Sequence, residues 1–321
     1  MTRNIAVITP IKHLNNVFNE ISKYGNIIYE PNIKKDKLKK ILINNNIDAI
    51  FTNPNKQHFI LNKEVLDGTN IKLINTASTG TNHIDKKYCQ ENNIEIWSLT
   101  TDYELINDLP STSELGFGIM LSLLRFIPQS FDSVKNYEWN YEKFIGRQVK
   151  GLKLGIIGFG RLGKIMANFG YSFGMDVYIN DPYVSEDDIL KINKDYKKVN
   201  LDKLCLESDV ITLHVHVTDE TRQMVNKEFL NKMKDNSYLI NTARGELVNE
   251  IDIIDNLKSG KLAGYGTDVI EHEFSNIRDS ELIKLANERK YNVIITPHTG
   301  GMTIEGQTKA FTWAVKKFSN M

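Results

Sequence analysis

Cysteine is scarce in this chain: two residues, Cys89 and Cys205, stand in 321. Two thiols exclude a disulfide framework and a multi-cysteine zinc site, and they suit a reducing, cytoplasmic compartment. Net charge is missing as well, with 40 basic residues against 40 acidic ones. A nucleic-acid or membrane-surface protein needs a basic excess to meet phosphates, so neither class fits. Long apolar runs are absent too. The longest, Leu115–Leu124, is ten residues interrupted by Ser122, well short of the ~20 that a bilayer crossing requires. The opening MTRNIAVITP has too short an apolar run before Pro10 for a signal-peptide core. There is no internal repeat, low-complexity tract or Pro- or Ser-rich linker. What is present is a soluble globular composition, 41% hydrophobic and 25% charged. At roughly 150 residues per domain the length makes two domains.

Short β-branched runs alternate with helical patterns from end to end, which predicts parallel sheets covered by helices. In the first hundred residues the strands read as Ile5–Thr9, Ile27–Tyr29, Ala49–Thr52, Lys72–Asn75 and Glu95–Ser98. Ser111 and Glu114 have capping-box spacing at the head of a long apolar helix, and Pro128 is expected to end it. A second series of six strands begins at Lys153 with LGIIGFG, enough for a complete dinucleotide-binding domain. A last helix runs roughly from Thr303 to Phe318, with no local signal for where it packs.

Gly158-Phe159-Gly160-Arg161-Leu162-Gly163 follows the apolar run Leu152–Ile157 and opens a helical segment, as the dinucleotide fingerprint requires. Gly158 permits the tight turn, Gly160 lets backbone approach a pyrophosphate, and Gly163 lets helix and strand pack closely. The helix N-terminus adds N–H groups and a positive dipole end. Asp181 lies 18 residues after Gly163, at the end of the next strand. A carboxylate there accepts from a ribose diol and repels a 2′-phosphate, so NAD is preferred to NADP.

Three further segments each lie just past a predicted strand: Asn241-Thr242-Ala243-Arg244-Gly245, Asp268-Val269-Ile270-Glu271-His272-Glu273 and Thr296-Pro297-His298-Thr299-Gly300-Gly301. That edge is where open α/β sheets bind ligands. Arginine can hold a carboxylate with two parallel hydrogen bonds. Histidine can give a proton to the oxygen as hydride reaches the carbon, and a neighbouring carboxylate favours its charged form. Together these residue types suit reduction of a 2-oxo acid. Of the seven histidines, His298 stands out because Pro297 and two glycines fix the backbone beside it. His272 reads as a loop residue. His214 and His216 share a strand face but have no evident third metal ligand, so no metal is expected.

NTARGELV, the Asp268–Glu273 spacing, TPHTGG, STGTNHID (Ser78–Asp85) and STSELGFGIMLSLLR resemble the D-isomer-specific 2-hydroxyacid dehydrogenase family along nearly the whole chain. The resemblance implies two Rossmann-like parallel-sheet domains, the NAD domain (103–297) inserted into a flavodoxin-like substrate domain (1–102 and 298–321), with the active site in the cleft between them. It implies Arg244 for substrate binding, Glu273 as partner of the histidine, and His298 as acid/base. Cofactor contacts are implied for Arg161, Leu162, Asp181, Thr242, Ala243, Arg244, Asp268, His298, Gly300 and Gly301. Backbone amides around Ser78, Thr79 and Gly80 would meet the substrate carboxylate. A homodimer through the NAD domain is also implied, with the Ser111–Ile127 helix and the segment to about Gln148 contributing.

The segment LHVHVTDETR departs from the family pattern where proline is usual. STGTNHID and GMTIEGQ look most like phosphoglycerate dehydrogenases, yet Lys56 and Lys143 are the only obvious local cations for a phosphate. A D-3-phosphoglycerate dehydrogenase is therefore one alternative. A catalytically weak, NAD-sensing corepressor-like protein of the same fold is another, from a different functional class.

Overall fold

The computed structural model describes residues 3–54, 59–273 and 276–320. The chain forms two compact units, Met1–Leu109 with Gly301–Met321, and Pro110–Gly300.

In the first unit, β1 (Arg3–Val7), β2 (Gly25–Tyr29), β3 (Ala49–Thr52), β4 (Leu73–Thr76) and β5 (Glu95–Trp97) form one parallel sheet in the order β2-β1-β3-β4-β5. This is the flavodoxin-like order, with its switch point between β1 and β3. Alternate residues of a strand face opposite sides, so each strand serves two cores. Ile5, Val7, Phe51 and Leu73 pack with Ala310, Phe311, Ala314 and Val315 of the helix Ile304–Lys316. Ala6, Ile8, Ile50 and Ile74 pack with Leu38, Leu42, Val65 and Cys89. The last helix thus docks on the first unit, where Phe51 and Phe311 meet edge-on at 5.9 Å and Asn75 Nδ2 donates to the Ala314 carbonyl at 2.8 Å.

The second unit holds a seven-stranded parallel sheet. Its strands are β6 (Lys153–Ile157), β7 (Asp176–Asn180), β8 (Lys197–Lys198), β9 (Val210–Leu213), β10 (Ser237–Asn241), β11 (Leu262–Thr267) and β12 (Val293–Ile295), in the order β12-β11-β10-β9-β6-β7-β8. The two-residue β8 is one strand more than the apolar pattern shows, and its lysines hide it. Leu154, Ile156, Val210, Tyr238 and Ile240 face the helices Ser111–Leu124 and Arg161–Ser172. Ile157, Ile211, Leu213, Leu239 and Tyr265 face the other side. The strand order reverses beside β6, directly ahead of the glycine turn, and that crevice is where such sheets bind ligands.

Two helix boundaries differ from expectation. Pro110, not Ser111, is the cap of the helix Ser111–Leu124, and no side chain caps it. The Pro110 carbonyl accepts from the N–H groups of Ser113 and Glu114 at 2.8 and 3.1 Å, which places Ser111 inside the first turn. Nor does Pro128 end that helix. The break comes at Phe126, whose φ is 50°, and Pro128 sits in the first turn of a second helix, Ile127–Lys135. A first-turn proline lacks only an N–H that would have no intrahelical partner. Among the described residues no helix is long and apolar enough to cross a membrane.

Candidate active site

The glycine turn has the shape its sequence requires. Gly158 has φ +92°, and a Cβ there would lie 2.5 Å from the His214 carbonyl oxygen. A Cβ on Gly163 would lie 2.1 Å from the Gly158 oxygen, so the helix packs directly on the turn, whereas a Cβ on Gly160 would meet nothing within 4 Å. The helix Arg161–Ser172 starts from Gly160 with no side-chain cap, and the first N–H groups of a helix have no intrahelical acceptor. This cradle fits a pyrophosphate. At the end of β7, Asp181 accepts from the Phe159 N–H at 2.7 Å and the Tyr183 N–H at 2.8 Å. Its carboxylate is pinned to the middle of the turn and keeps lone pairs for a ribose diol.

The three sequence segments emerge after β10, β11 and β12. Beyond β12, His298 adopts φ 54°, left-handed backbone that histidine tolerates better than most residues. Asp268, 1% exposed, holds that loop. Its carboxylate accepts from the Thr296 hydroxyl, from the Thr299 N–H at 2.8 Å and from the Gly300 N–H at 2.7 Å. The resemblance implies a cofactor contact for Asp268; its bonds are to the histidine loop. The backbone N–H of His298 in turn donates to the Asp268 carbonyl at 2.9 Å.

His298 Nδ1 lies 2.9 Å from Glu273 Oε2. An ionised carboxylate only accepts, so Nδ1 carries hydrogen and Nε2 is the nitrogen left to exchange a proton. The Glu273 loop is itself tied down. Glu250 accepts from the Glu271 N–H at 2.9 Å, and burial pushes the Glu250 carboxyl above the usual range. Gly245 presses on the same loop: a Cβ there would lie 2.1 Å from the Ile270 carbonyl carbon. Arg244, one residue earlier, donates to the Ala243 carbonyl at 2.6 Å and makes no ion pair with the described residues. Asn241 shapes the turn that presents it, donating to the Arg244 carbonyl at 2.8 Å and accepting from the Ala243 N–H at 3.1 Å. The Thr242 side chain faces the helix at Gly116.

Within the first unit, the segment after β4 ties three successive carbonyls. Ser78 O accepts from the Leu99 N–H at 2.9 Å, Thr79 O from the Thr100 hydroxyl at 2.9 Å, and Gly80 O from the Ser78 hydroxyl at 2.7 Å. The N–H groups of Ser78, Thr79 and Gly80 meet no acceptor among the described residues. Amides left open in this way are donors that an anion can use.

Two sequence expectations resolve differently. β9 ends at Leu213, so His214 and His216 lie beyond the strand: His214 Nε2 is 3.0 Å from Thr212 Oγ1, and the His216 carbonyl accepts from the Thr221 hydroxyl at 2.6 Å. Lys143 is paired with Glu138 at 2.9 Å, and Lys56 lies outside the described residues. The anchoring by Glu250 had no sequence signal, since a first-turn glutamate is ordinary. Asn241 did have one, an Asx-turn spacing.

A model of the NAD-binding domain of D-isomer specific 2-hydroxyacid dehydrogenases matches residues 117–300. A hydroxypyruvate reductase of Thermotoga maritima is 33% identical over 293 residues, covering 90% of this chain and 89% of the relative. A D-3-phosphoglycerate dehydrogenase of Methanocaldococcus jannaschii is 34% identical over 242 residues, 75% of this chain but 44% of the longer relative. Among solved structures, D-lactate dehydrogenase of Aquifex aeolicus, complexed with NAD and lactic acid, superposes with TM-score 0.79 at 29% identity. That superposition covers 99% of this chain and 94% of the other. The chain belongs to the D-isomer-specific 2-hydroxyacid dehydrogenase family, and its cofactor is NAD.

Proposed function

We propose that the chain interconverts a small 2-oxo acid and its D-2-hydroxy acid, with His298 as the acid/base. The observation that carries this reading is the 2.9 Å His298–Glu273 pair, formed by the segments that follow β11 and β12. NAD(H), when bound, supplies or accepts the hydride. Glu273 orients the imidazole, and the proton leaves His298 Nε2 for the substrate oxygen in reduction and returns in oxidation. Arg244 can turn from its own backbone to take the substrate carboxylate as a two-pronged partner. The open amides of Ser78–Gly80 are assigned to the same anion. The glycine turn, Arg161, Leu162, Asp181, Thr242–Arg244 and the His298–Gly301 segment are assigned to the dinucleotide, with Asp268 acting through the bonds that hold that segment.

The test is NADH oxidation against glyoxylate, pyruvate, hydroxypyruvate and 3-phosphohydroxypyruvate. Turnover of an unphosphorylated acid is the expected result, because Lys143 is already paired with Glu138. Preference for the phosphorylated acid would replace this reading with phosphoglycerate oxidation. Tight NADH binding without turnover of any acid would replace it with the sensing role.

We also propose a homodimer through the second unit. Between residues 127 and 145, Phe131, Tyr137, Trp139, Tyr141 and Ile145 are 62–99% exposed. So dense an apolar surface calls for a partner, and a second copy, whose matching segment is equally uncovered, supplies it with twofold symmetry. Sedimentation at micromolar concentration is expected to give twice the 36.8 kDa chain mass, and a monomer would remove the proposal.

A further inference from the structure

His83 is 0% exposed, seven residues past Thr76 at the end of β4. Its Nε2 lies 3.2 Å from Thr76 Oγ1, which lies 2.8 Å from Ser78 Oγ, which donates to the Gly80 carbonyl at 2.7 Å. The direction of this chain of bonds is forced from its far end. A carbonyl only accepts, so the Ser78 proton is committed to Gly80. Thr76 must then give its proton to Ser78, and His83 must give the Nε2 hydrogen to Thr76. One tautomer of a buried histidine therefore sets two hydroxyl rotors and, through them, the turn at Gly80. Burial holds the imidazole uncharged, its pKa pushed down to about 4, so it presents that same donor throughout the neutral range.

We propose that His83, acting through Thr76 and Ser78, is a positioning residue that orients the Ser78–Gly80 amides toward the substrate carboxylate. Neither His83 nor Thr76 touches the substrate in this account. The proposal rests on the reading of the chain as a 2-oxo acid reductase, and it makes a kinetic demand of its own. Carboxylate binding is the same in the ground state and the transition state, so its loss raises KM and leaves kcat in place.

The experiment uses the full chain with saturating NADH and whichever acid of the panel it reduces. Thr76→Val keeps the side-chain shape and removes the relay hydroxyl; His83→Leu removes the donor; His83→Gln places an amide N–H where Nε2 stands. Thr76→Val and His83→Leu are expected to raise KM by about tenfold, the order one lost hydrogen bond carries, with kcat and NADH affinity unchanged. His83→Gln is expected to return KM toward wild type. The Thr76→Val/His83→Leu double variant is expected to be no worse than either single one, because members of one network are not additive. Amide exchange over residues 76–84 should quicken in the variants with raised KM. An unchanged KM in Thr76→Val, an equal loss in kcat, or additive effects in the double variant would overturn the proposal. Where His83→Leu fails to fold, the near-isosteric Thr76→Val decides the question. Failure of the wild type to reduce any acid overturns the underlying reading instead, and the two failures are separated by that first measurement.

Discussion

Replacing His298 with alanine should lower turnover by two to four orders of magnitude, the range a positioned acid/base contributes. NADH affinity should stay within a few-fold, because the cradle at Gly158–Gly163, the Asp181 carboxylate and the Thr299–Gly301 backbone, which carry most of the assigned dinucleotide contacts, are untouched. The backbone of His298 qualifies the choice of variant. At φ 54° an alanine is strained where asparagine is tolerated, so His298→Asn removes the imidazole with less disturbance of the loop. Both variants should lose turnover alike, with stopped-flow hydride transfer separating chemistry from product release. A parallel collapse of NADH binding in the asparagine variant would mean that the residue holds cofactor rather than moving a proton.

Asp181→Ala is expected to weaken NADH by on the order of a hundredfold, since hydrogen bonds to a charged group carry about 1.5–3 kcal/mol each. It should also erase the preference for NADH over NADPH. The structure adds a second cost: the carboxylate also anchors the N–H groups of Phe159 and Tyr183, so alanine loosens the turn that receives the pyrophosphate. Asp181→Asn keeps one carbonyl acceptor for the Phe159 N–H of the turn and gives up only the bond to Tyr183, which uses the other oxygen, and so separates the two effects. Its turn should hold while its cofactor ratio shifts. Calorimetric titration with each dinucleotide reads both quantities, and an unmoved ratio removes Asp181 from ribose recognition.

Features carried by short-range pattern were legible in the sequence. The βα alternation located eleven of the twelve strands among the described residues, because buried parallel strands are nearly continuous apolar runs. The exception, Lys197–Lys198, lies at the sheet edge and has no apolar signature. The glycine turn and Asp181 were readable because Gly158 and Gly163 answer local steric demands and the acid stands at the spacing the motif sets. Ser111 and Pro128 were misplaced because a cap and a break each had two nearby candidates; the Pro110 carbonyl and the reversal at Phe126 prevailed. The docking of the last helix and the bonds of Asp268 were not legible. Each depends on groups brought together by the fold, 28 residues apart for Asp268 and Thr296 and 239 for Asn75 and Ala314.

The close approach of Gly245 to Ile270 has a consequence for how such a site can change. Gly245 abuts the Ile270 carbonyl, Glu250 grips the amide of Glu271, and Asp268 ties Thr296, Thr299 and Gly300. The arginine, glutamate and histidine loops are thereby keyed together as one casting, in which replacing a single loop leaves the other two without their fit. Under the proposed reading, diversification toward new acids is confined to positions outside the casting, while the arginine–glutamate–histidine core is inherited whole.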